Sequence, residues 1–229
     1  MTEAEWLACK DLELMLRFLL GKGGERRLRL FACACCRRIW DLLEDERSRK
    51  AVEASERFGD GLVDARCLRR AGDMAREAWE AWQACSPNSD TTTLRRAAAS
   101  AIFVCVPAFG KETRRMIPRL ALLGGFAEIA AELGSPPSPP EILRDLYANP
   151  FRPVSLDPAW GTSTVVSLAQ AAYETRILPA GILDPDRLAI LADALEDAGC
   201  DNEDILSHLR GQGPHVRGCW VVDLLLGKE

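Results

Sequence analysis

Apolar residues recur at steps of three and four along most of this 229-residue chain. Such spacing places their side chains on one face of an α-helix. The clearest series is Leu28, Phe31, Cys35, Ile39 and Leu42. No segment alternates strictly between apolar β-branched and polar residues, as a half-buried strand would. The pattern therefore predicts an all-α protein, a compact multi-helix bundle of about nine to eleven helices.

Polar residues and glycines predict where the first helices begin and end. Thr2 followed by Glu5 fits a capping box, and Asp11 is a suitable N-cap for a second helix. One long helix is predicted from Glu25 to about Glu46, where its apolar stripe ends. Further helices are predicted at 48–58, 62–85 and 92–106, and two short helical pieces within 111–133.

Similar signals recur near the end of the chain. Asp184 before Pro185 predicts a helix start, Gly199 predicts its end, and Asp201 predicts the start of the next helix. A glycine-rich bend follows that helix. The last helix is predicted over 215–226.

A proline-rich stretch at 134–140 is the clearest linker in the chain. Stacked prolines favour an extended backbone and donate no hydrogen bonds to a helix. This stretch predicts an N-terminal helical sub-bundle over 1–133 and a C-terminal helical sub-bundle over 141–229. The alternative is one integrated domain over 1–229.

A second proline-rich segment, 149–160, lacks helical periodicity. It contains the large aromatic residues Phe151 and Trp160, whose burial is strongly favourable. We expect a structured loop that these two side chains anchor to the body of the protein.

The composition favours a folded protein without a membrane span. Hydrophobic residues make up 48% of the chain and charged residues 28%, with a formal net charge of -5. The longest nearly apolar run, Ala97–Phe109, is shorter than the roughly 20 residues that a bilayer span needs. The first residues are acidic, whereas a secretory signal begins with positive charge. We therefore expect a soluble protein that is not exported.

The nine cysteines indicate a reducing compartment. An odd number would leave one reactive thiol in a secreted protein, whereas a reduced cysteine in the cytoplasm behaves as a small hydrophobic residue. We therefore expect a cytoplasmic protein. For the three cysteines of one predicted helix, Cys33, Cys35 and Cys36, we expect core positions; metal binding and redox chemistry are the alternatives. The others are Cys9, Cys67, Cys85, Cys105, Cys200 and Cys219.

The best candidate metal site in the sequence consists of Cys200, His208, His215 and Cys219, which include both histidines of the chain. Two imidazoles and two thiolates suit a tetrahedral zinc ion. His215 and Cys219 would share a helix face if the last helix began at the glycine-rich bend. The alternative is a structural role, with His208 on the surface and His215 hydrogen-bonded to that bend.

Charge suggests a weaker alternative function. Residues 1–119 carry 22 Lys and Arg against 18 Asp and Glu, whereas residues 120–229 carry 7 against 16. Arginine pairs such as Arg26–Arg27 and Arg37–Arg38 recur in the first part. A basic surface of this kind would bind nucleic acid only with stacking aromatics nearby, and the aromatics here lie on apolar stripes. We therefore do not favour a nucleic-acid partner.

Five segments of the chain carry a resemblance to a known family: 1–7, 28–40, 149–153, 191–200 and 213–223. They resemble a paralogous family of cytoplasmic proteins from planctomycete bacteria. The likeness covers nearly the whole chain and implies a cytoplasmic protein of one unit. It implies no reaction, cofactor or binding residue.

These observations predict a non-enzymatic helical module that binds another protein. No phosphate-binding loop, nucleophile elbow or zinc-protease motif occurs in the sequence, so no catalytic residue or organic cofactor is predicted. The first alternative is a zinc-binding module or metal-dependent enzyme that uses the C-terminal Cys/His set. The second alternative is nucleic-acid binding through the arginine-rich first part.

The nucleic-acid alternative can be tested on a polyanion column. Phosphate contacts release counterions, so specific retention would fall steeply as the salt concentration rises. We expect instead that the protein is weakly retained and that its elution is insensitive to salt. Strong retention with a steep salt dependence would favour the nucleic-acid alternative.

Overall fold

The computed structural model describes residues 1–85, apart from residues 21 and 23, and residues 138–228. Within these residues the chain forms ten α-helices and one two-stranded antiparallel sheet, which confirms the predicted all-α class. No helix in the described ranges combines the length and apolar character needed to cross a membrane. The predicted helices at 92–106 and 111–133 lie outside the described residues.

The helices and strands follow one another in this order along the chain. The elements before the undescribed segment are α1 (Glu3–Ala8), α2 (Leu12–Phe18), α3 (Glu25–Arg38), a 3₁₀ helix (Trp40–Leu42), α4 (Glu46–Gly59) and α5 (Ala65–Cys85). The elements after it are α6 (Pro139–Tyr147), a 3₁₀ helix (Pro158–Trp160), α7 (Ser163–Glu174), β1 (Arg176–Ile177), β2 (Ile182–Leu183), α8 (Pro185–Asp197), α9 (Glu203–Arg210) and α10 (Trp220–Leu226).

The capping residues predicted for three helices are confirmed. The backbone N–H of Glu5 donates to the hydroxyl of Thr2, and the backbone N–H of Thr2 donates to the Glu5 carboxylate, 2.7 Å away. Asp11 caps α2 by accepting from the backbone N–H of Leu14 at 3.0 Å. Asp184 caps α8 in the same manner. These side chains satisfy amide groups that the first helical turn leaves without partners.

The long helix predicted from Glu25 to about Glu46 is wrong, because α3 ends at Arg38. Ile39 leaves the helical conformation with φ -105° and ψ 26°, and a 3₁₀ turn follows. Asp45 then caps α4, accepting a hydrogen bond from the backbone N–H of Arg47 at 2.8 Å. The apolar stripe continued across this break, so periodicity alone did not reveal it.

Three details near the C-terminus also differ from the prediction. The last helix begins at Trp220, and residues 215–219 form an irregular loop instead. Asn202, rather than Asp201, caps α9 by accepting from the backbone N–H of Ile205 at 3.2 Å. The sheet was not predicted, because strands of two residues are too short to display alternation.

The chain divides into two compact units. We call Met1–Lys10 together with Pro140–Glu229 the C-terminal unit, and Asp11–Pro139 the central unit. The predicted sub-bundles, 1–133 and 141–229, and their linker stay a prediction, since residues 134–137 lie outside the described part of the chain.

One arginine explains why α1 belongs to the C-terminal unit. The guanidinium of Arg144, on α6, donates to the backbone carbonyls of Trp6 at 2.9 Å and Cys9 at 2.5 Å. Carbonyls at the end of a helix have no partner within the helix, so a cation there is favourable. Glu3 adds a 2.6 Å ion pair with Arg152. These contacts join sequence-distant segments and hold the helix that carries the site described below.

The core of the C-terminal unit lies among α7, α8, α9 and α10. The 149–160 loop reaches this core through Trp160, together with Val154 and Leu156. The prediction that Phe151 also anchors the loop is wrong, because its side chain is 36% exposed. Its backbone N–H instead donates to the Asn149 side chain at 3.0 Å, in a local turn.

In the central unit, α3 is buried on almost all sides. Buried side chains run without interruption from Leu28 to Arg37, whereas the sequence pattern predicted a single buried stripe. Small residues in this run allow neighbouring groups to approach closely.

The three cysteines of α3, Cys33, Cys35 and Cys36, are all buried, which confirms their core positions. Burial raises the pKa of Cys33 to about 12, so this thiol is unreactive at neutral pH.

A buried ion pair joins α3 to α4. Two nitrogens of the Arg37 guanidinium donate to the two carboxylate oxygens of Glu56, at 2.6 and 2.8 Å. The guanidinium also lies 4.6 Å from the centroid of the Trp40 ring. Two parallel bonds and a cation–π contact fix its orientation. Because both side chains are almost fully buried, loss of either one leaves the other charge without its main partner.

We expect the Arg37→Met substitution to lower the free energy of unfolding by about 3–5 kcal/mol, because the Glu56 carboxylate would stay buried without its cation. Urea denaturation followed by circular dichroism would measure the change. The matched control is Arg17→Met, which removes an exposed pair with Glu13 and should cost less than about 1 kcal/mol. Equal losses in the two variants would contradict the importance of the buried pair.

Candidate metal centre

Four potential metal ligands converge in the C-terminal unit. Asp145 lies on α6, His208 on α9, His215 in the loop after α9, and Cys219 immediately before α10. One ligand atom from each residue can be chosen so that all four atoms lie within 4.8 Å of one another. We call these residues the four-ligand cluster. Three of them were predicted from the sequence, and Asp145 was not.

The loop that carries His215 is held at several points. The backbone N–H of Leu183, in β2, donates to the carbonyl of His215 at 2.7 Å, and Val216 forms an isolated bridge with Ile182. The N–H of Cys219 donates to the carbonyl of Val216 at 2.9 Å. The short sheet therefore fixes the backbone on which His215 and Cys219 lie.

Gly213 is required by the tight bend before His215. Its φ is +83°, a conformation that other residues adopt at a cost. A Cβ atom at this position would also lie 2.9 Å from the backbone nitrogen of His215. Glycine therefore permits the close approach that brings the imidazole to Asp145.

Distances within the four-ligand cluster are short. The Asp145 Oδ1 atom lies 3.0 Å from His215 Nδ1 and 3.1 Å from His208 Nε2. The Cys219 Sγ atom lies 3.3 Å from His208 Nε2 and 3.9 Å from His215 Nδ1. Each imidazole therefore directs one nitrogen towards both a carboxylate oxygen and a sulfur.

Surrounding groups orient the ligands. The second carboxylate oxygen of Asp145 accepts a hydrogen bond from the backbone N–H of Val216 at 2.8 Å. His215 Nε2 lies 3.3 Å from the carbonyl of Gly211, which can only accept. This carbonyl therefore holds a proton on Nε2. Nδ1 donates to Asp145 Oδ1 when the imidazole is charged, and it presents a lone pair when the imidazole is neutral or binds a metal ion. The predicted hydrogen bond between His215 and the glycine-rich bend is thus confirmed.

Burial and charge act together on the cluster. Asp145, His215 and Cys219 are each at most 4% exposed, and His208 is half-buried. Burial raises the pKa of Asp145, but hydrogen bonds with His208 and His215 outweigh it, so the net shift is downward. Burial lowers the pKa of His215, but its contacts with Asp145 outweigh this effect and the net shift is upward. Burial and the Asp145 charge raise the pKa of the Cys219 thiol well above its usual value.

A cavity of about 310 Å³ gives access to the cluster. Asp145, His208 and His215 line it, together with Glu141 and Arg144. An ion could therefore reach the ligands from the side on which His208 is exposed.

Cys200, predicted as a ligand, is not part of the four-ligand cluster. It directly follows Gly199, whose φ of +87° ends α8, and its backbone N–H donates to the carbonyl of Leu195 at 2.9 Å. This turn brings the Cys200 side chain into the apolar core of the C-terminal unit. Cys200 is therefore close to the other ligands in sequence but is not a member of the four-ligand cluster in the folded protein.

The predicted shared helix face of His215 and Cys219 is also wrong, because both precede α10. Asp145 was missed since an aspartate within an amphipathic helix is usually exposed. The available signal was its register: Asp145 lies three residues after Ile142, which is buried, and next to buried Leu146.

Comparisons with protein-family models, with curated proteins and with solved structures gave no match to this chain. The resemblance to a planctomycete family stays a prediction. The class of protein is therefore defined by its own fold and site, an all-α protein with a buried carboxylate, two imidazoles and a thiol in mutual contact.

The pKa shifts predict how pH affects the protein after treatment with a chelator. The raised pKa of His215 stabilises the folded state below about pH 6.5, and this contribution is lost as pH rises through the folded-state pKa. The lowered pKa of Asp145 contributes above about pH 3.9 and is lost as pH falls through its folded-state pKa. The chelated protein should therefore be most stable in the mildly acidic range.

We expect His215→Gln to flatten the alkaline side of this profile, measured as the free energy of unfolding in urea at a series of pH values. Asp145, His208 and Cys219 face His215 and remain in the variant, and Glu141 and Arg144 line the adjoining cavity. Cys200→Ala is the matched control and should keep the profile of the unsubstituted chain below about pH 8.5, where thiols stay protonated. An unchanged slope in His215→Gln would contradict the assignment.

Proposed function

We propose that this protein is a zinc-stabilised helical module in which the four-ligand cluster binds one zinc ion. The observation that carries the proposal is the set of separations between the ligand atoms. The carboxylate, the imidazoles and the thiolate are all ligand types that zinc accepts. Calcium and magnesium are less suitable, because they prefer oxygen ligands.

The separations agree with tetrahedral coordination. A zinc ion with bonds of about 2.0–2.1 Å to nitrogen and oxygen and about 2.3 Å to sulfur separates N and O ligands by about 3.3 Å and N and S ligands by about 3.6 Å. The two N···O distances are 3.0 and 3.1 Å, and the two N···S distances are 3.3 and 3.9 Å. Small side-chain movements would suffice to accommodate the ion.

The surroundings of the ligands support the same proposal. In zinc sites, a histidine that coordinates the metal through one nitrogen commonly donates from the other to a carbonyl or carboxylate. His215 has this arrangement, with Nδ1 in the cluster and Nε2 beside the Gly211 carbonyl. The Val216 amide likewise holds the Asp145 oxygen that is not needed for coordination.

The ligand number favours a structural role for the metal. Catalytic zinc sites usually have three protein ligands and one position for water, whereas structural sites are closed by four. The four-ligand cluster would fill every position of a tetrahedral ion. We therefore favour the non-enzymatic alternative over a metal-dependent enzyme.

Bound zinc would cross-link distant parts of the chain. Asp145 and His215 are 70 positions apart, and the cluster joins α6, α9, the loop after α9 and the start of α10. The ligands would be scattered in the unfolded chain, so binding energy would contribute directly to folding. Metal binding would also remove the thiol proton from Cys219, since the thiolate is the ligand.

The wider role expected from the sequence is part of this proposal: a cytoplasmic module that binds another protein. The odd number of cysteines in the sequence, nine, supports a reducing compartment. Nucleic-acid binding has less support, because Arg26, Arg29 and Arg37 each contact an acidic side chain of the central unit.

We expect the purified protein to bind about one zinc ion per chain, and chelation to lower its melting temperature. At free zinc about 100-fold above the dissociation constant, the ion should add about 2.7 kcal/mol to the free energy of unfolding. Elemental analysis would give the stoichiometry, and thermal unfolding with and without chelator would give the stabilisation. A chain that binds no zinc and melts at an unchanged temperature would refute the proposal.

Substitutions distinguish this site from adventitious binding. His208→Ala is the most informative, because His208 is the most exposed ligand and its loss should least disturb the fold. This variant, together with Asp145→Asn and Cys219→Ser, should bind zinc at least tenfold more weakly. Cys200→Ala is the matched control, a buried cysteine of the same unit that lies outside the cluster, and it should retain zinc.

Cobalt provides a readout that does not depend on stability. A tetrahedral Co²⁺ ion with a thiolate ligand should show visible d–d bands and a sulfur-to-metal charge-transfer band in the near ultraviolet. We expect the charge-transfer band to disappear in Cys219→Ser and to persist in Cys200→Ala. The reverse result would identify Cys200 as the sulfur ligand.

A further inference from the structure

A second candidate binding site is a cavity of about 260 Å³ in the central unit. It lies among the 3₁₀ helix, the turn that follows it, the beginning of α4 and the end of α5. Leu42 and Leu43 contribute apolar surface, and Trp79 and Trp82 contribute aromatic surface. Small-molecule sites are typically concave and apolar, with a few polar groups that fix the orientation of the ligand.

Two buried polar groups of this cavity lack partners. Ser48 is 1% exposed, and neither its Oγ atom nor the Nε1 atom of Trp79 makes a hydrogen bond in the described part of the chain. Folded proteins rarely leave buried donors in this state, because they lose their hydrogen bonds to water without replacement. Indole N–H can only donate, and a hydroxyl can donate as well. The indole therefore needs an acceptor, and a single ligand oxygen can satisfy both groups.

Another serine of α4 provides a comparison with Ser48. Ser55 lies seven positions further along the helix and is also buried. Its side chain forms a hydrogen bond with the thiol of Cys33. The two serines thus share a helix and a burial class, but only Ser48 lines the cavity and lacks a partner.

The charge beside the cavity favours a cation. Glu44 and Asp45 both line it. Asp45 is engaged by Arg47, which donates to its two oxygens at 3.0 and 2.8 Å. Glu44 is exposed and makes no hydrogen bond or ion pair within the described residues. A carboxylate next to tryptophan rings suits an ammonium group and disfavours an anion.

We propose that this cavity binds a small aromatic amine that carries a phenolic hydroxyl. The aromatic ring packs against Trp79 and Trp82, and the hydroxyl oxygen accepts hydrogen bonds from Ser48 and Trp79. The ammonium group faces Glu44. This arrangement supplies each polar group of the cavity with a partner and retains the apolar contacts.

Four small probes separate these contributions. Tyramine has the ring, the hydroxyl and the ammonium group; phenethylamine lacks the hydroxyl; tyrosol replaces the ammonium group with an alcohol; and 4-hydroxyphenylacetate replaces it with a carboxylate. Titration by calorimetry or ligand-observed NMR should rank tyramine first and 4-hydroxyphenylacetate last. Binding of none of the probes, or equal binding of all four, would overturn the proposal.

Three substitutions assign the contacts. Ser48→Ala should weaken tyramine binding by roughly three- to tenfold and leave phenethylamine binding nearly unchanged, because only tyramine uses the lost donor. Trp79→Phe should weaken the binding of both amines, since both rings pack against Trp79, and tyramine should lose more because it also loses a hydrogen bond. Glu44→Gln should weaken tyramine binding but not tyrosol binding. If Ser48→Ala weakened both amines equally, the hydroxyl contact would be refuted.

The protein without a probe provides an independent measurement. Ser48→Ala should leave the melting temperature unchanged or raise it, since the substitution removes a buried group that lacks a partner. Ser55→Ala is the matched control and should lower the melting temperature, because it removes a buried hydrogen bond. Equal destabilisation by the two substitutions would mean that Ser48 is satisfied within the fold and would overturn the proposal.

Discussion

The C-terminal unit depends on the burial of one carboxylate, that of Asp145. Transfer of a carboxylate from water into a protein interior is costly unless hydrogen bonds and opposite charge replace its hydration. Asp145 has such replacements from His208 and His215 at one oxygen and from the Val216 amide at the other. His208 lies on α9, and His215 and Val216 lie in the loop before α10, so the contacts of this single group draw α6, α9 and that loop together. Arg144 lies one residue before Asp145 on α6. Its hydrogen bond with the Trp6 carbonyl connects α6 to α1.

The helices of this protein could largely be predicted from the sequence because their signals are local. Capping at Thr2, Asp11 and Asp184 depends on residues only two or three positions away, and the prediction was right at all three. The break after Arg38 could not be predicted from periodicity, since the apolar spacing continues through Ile39 and Leu42 although the backbone does not.

The members of the candidate site could not all be predicted from the sequence, because their proximity depends on the fold. The chain has only two histidines, so His208 and His215 could be identified by residue type, and Cys219 by its position four residues after His215. Asp145 is one of many acidic residues, and only its register with the buried Ile142 distinguishes it from an exposed one. Cys200 resembled a ligand by its position in the chain, but the turn at Gly199 brings it into an apolar core. Residue type therefore suggested the chemistry, and only the fold selected the members of the cluster.

The chemistry of a buried polar group or thiol depends on its neighbours as well as on its burial. Cys33 and Cys219 are equally buried, and burial raises the pKa of both thiols. Cys33 lies beside Ser55 and the carbonyl of Val52, neither of which would stabilise a thiolate as a metal ion does. Cys219 lies within 4 Å of a nitrogen of each of two imidazoles, so an ion bound between them would reverse its pKa shift.

The same reasoning applies to two buried serines of α4. Ser55 has a hydrogen-bond partner, whereas Ser48 lines a cavity and has none within the described residues. A buried polar group without a partner requires an explanation, and the position of Ser48 in a cavity makes a bound ligand the explanation that we propose.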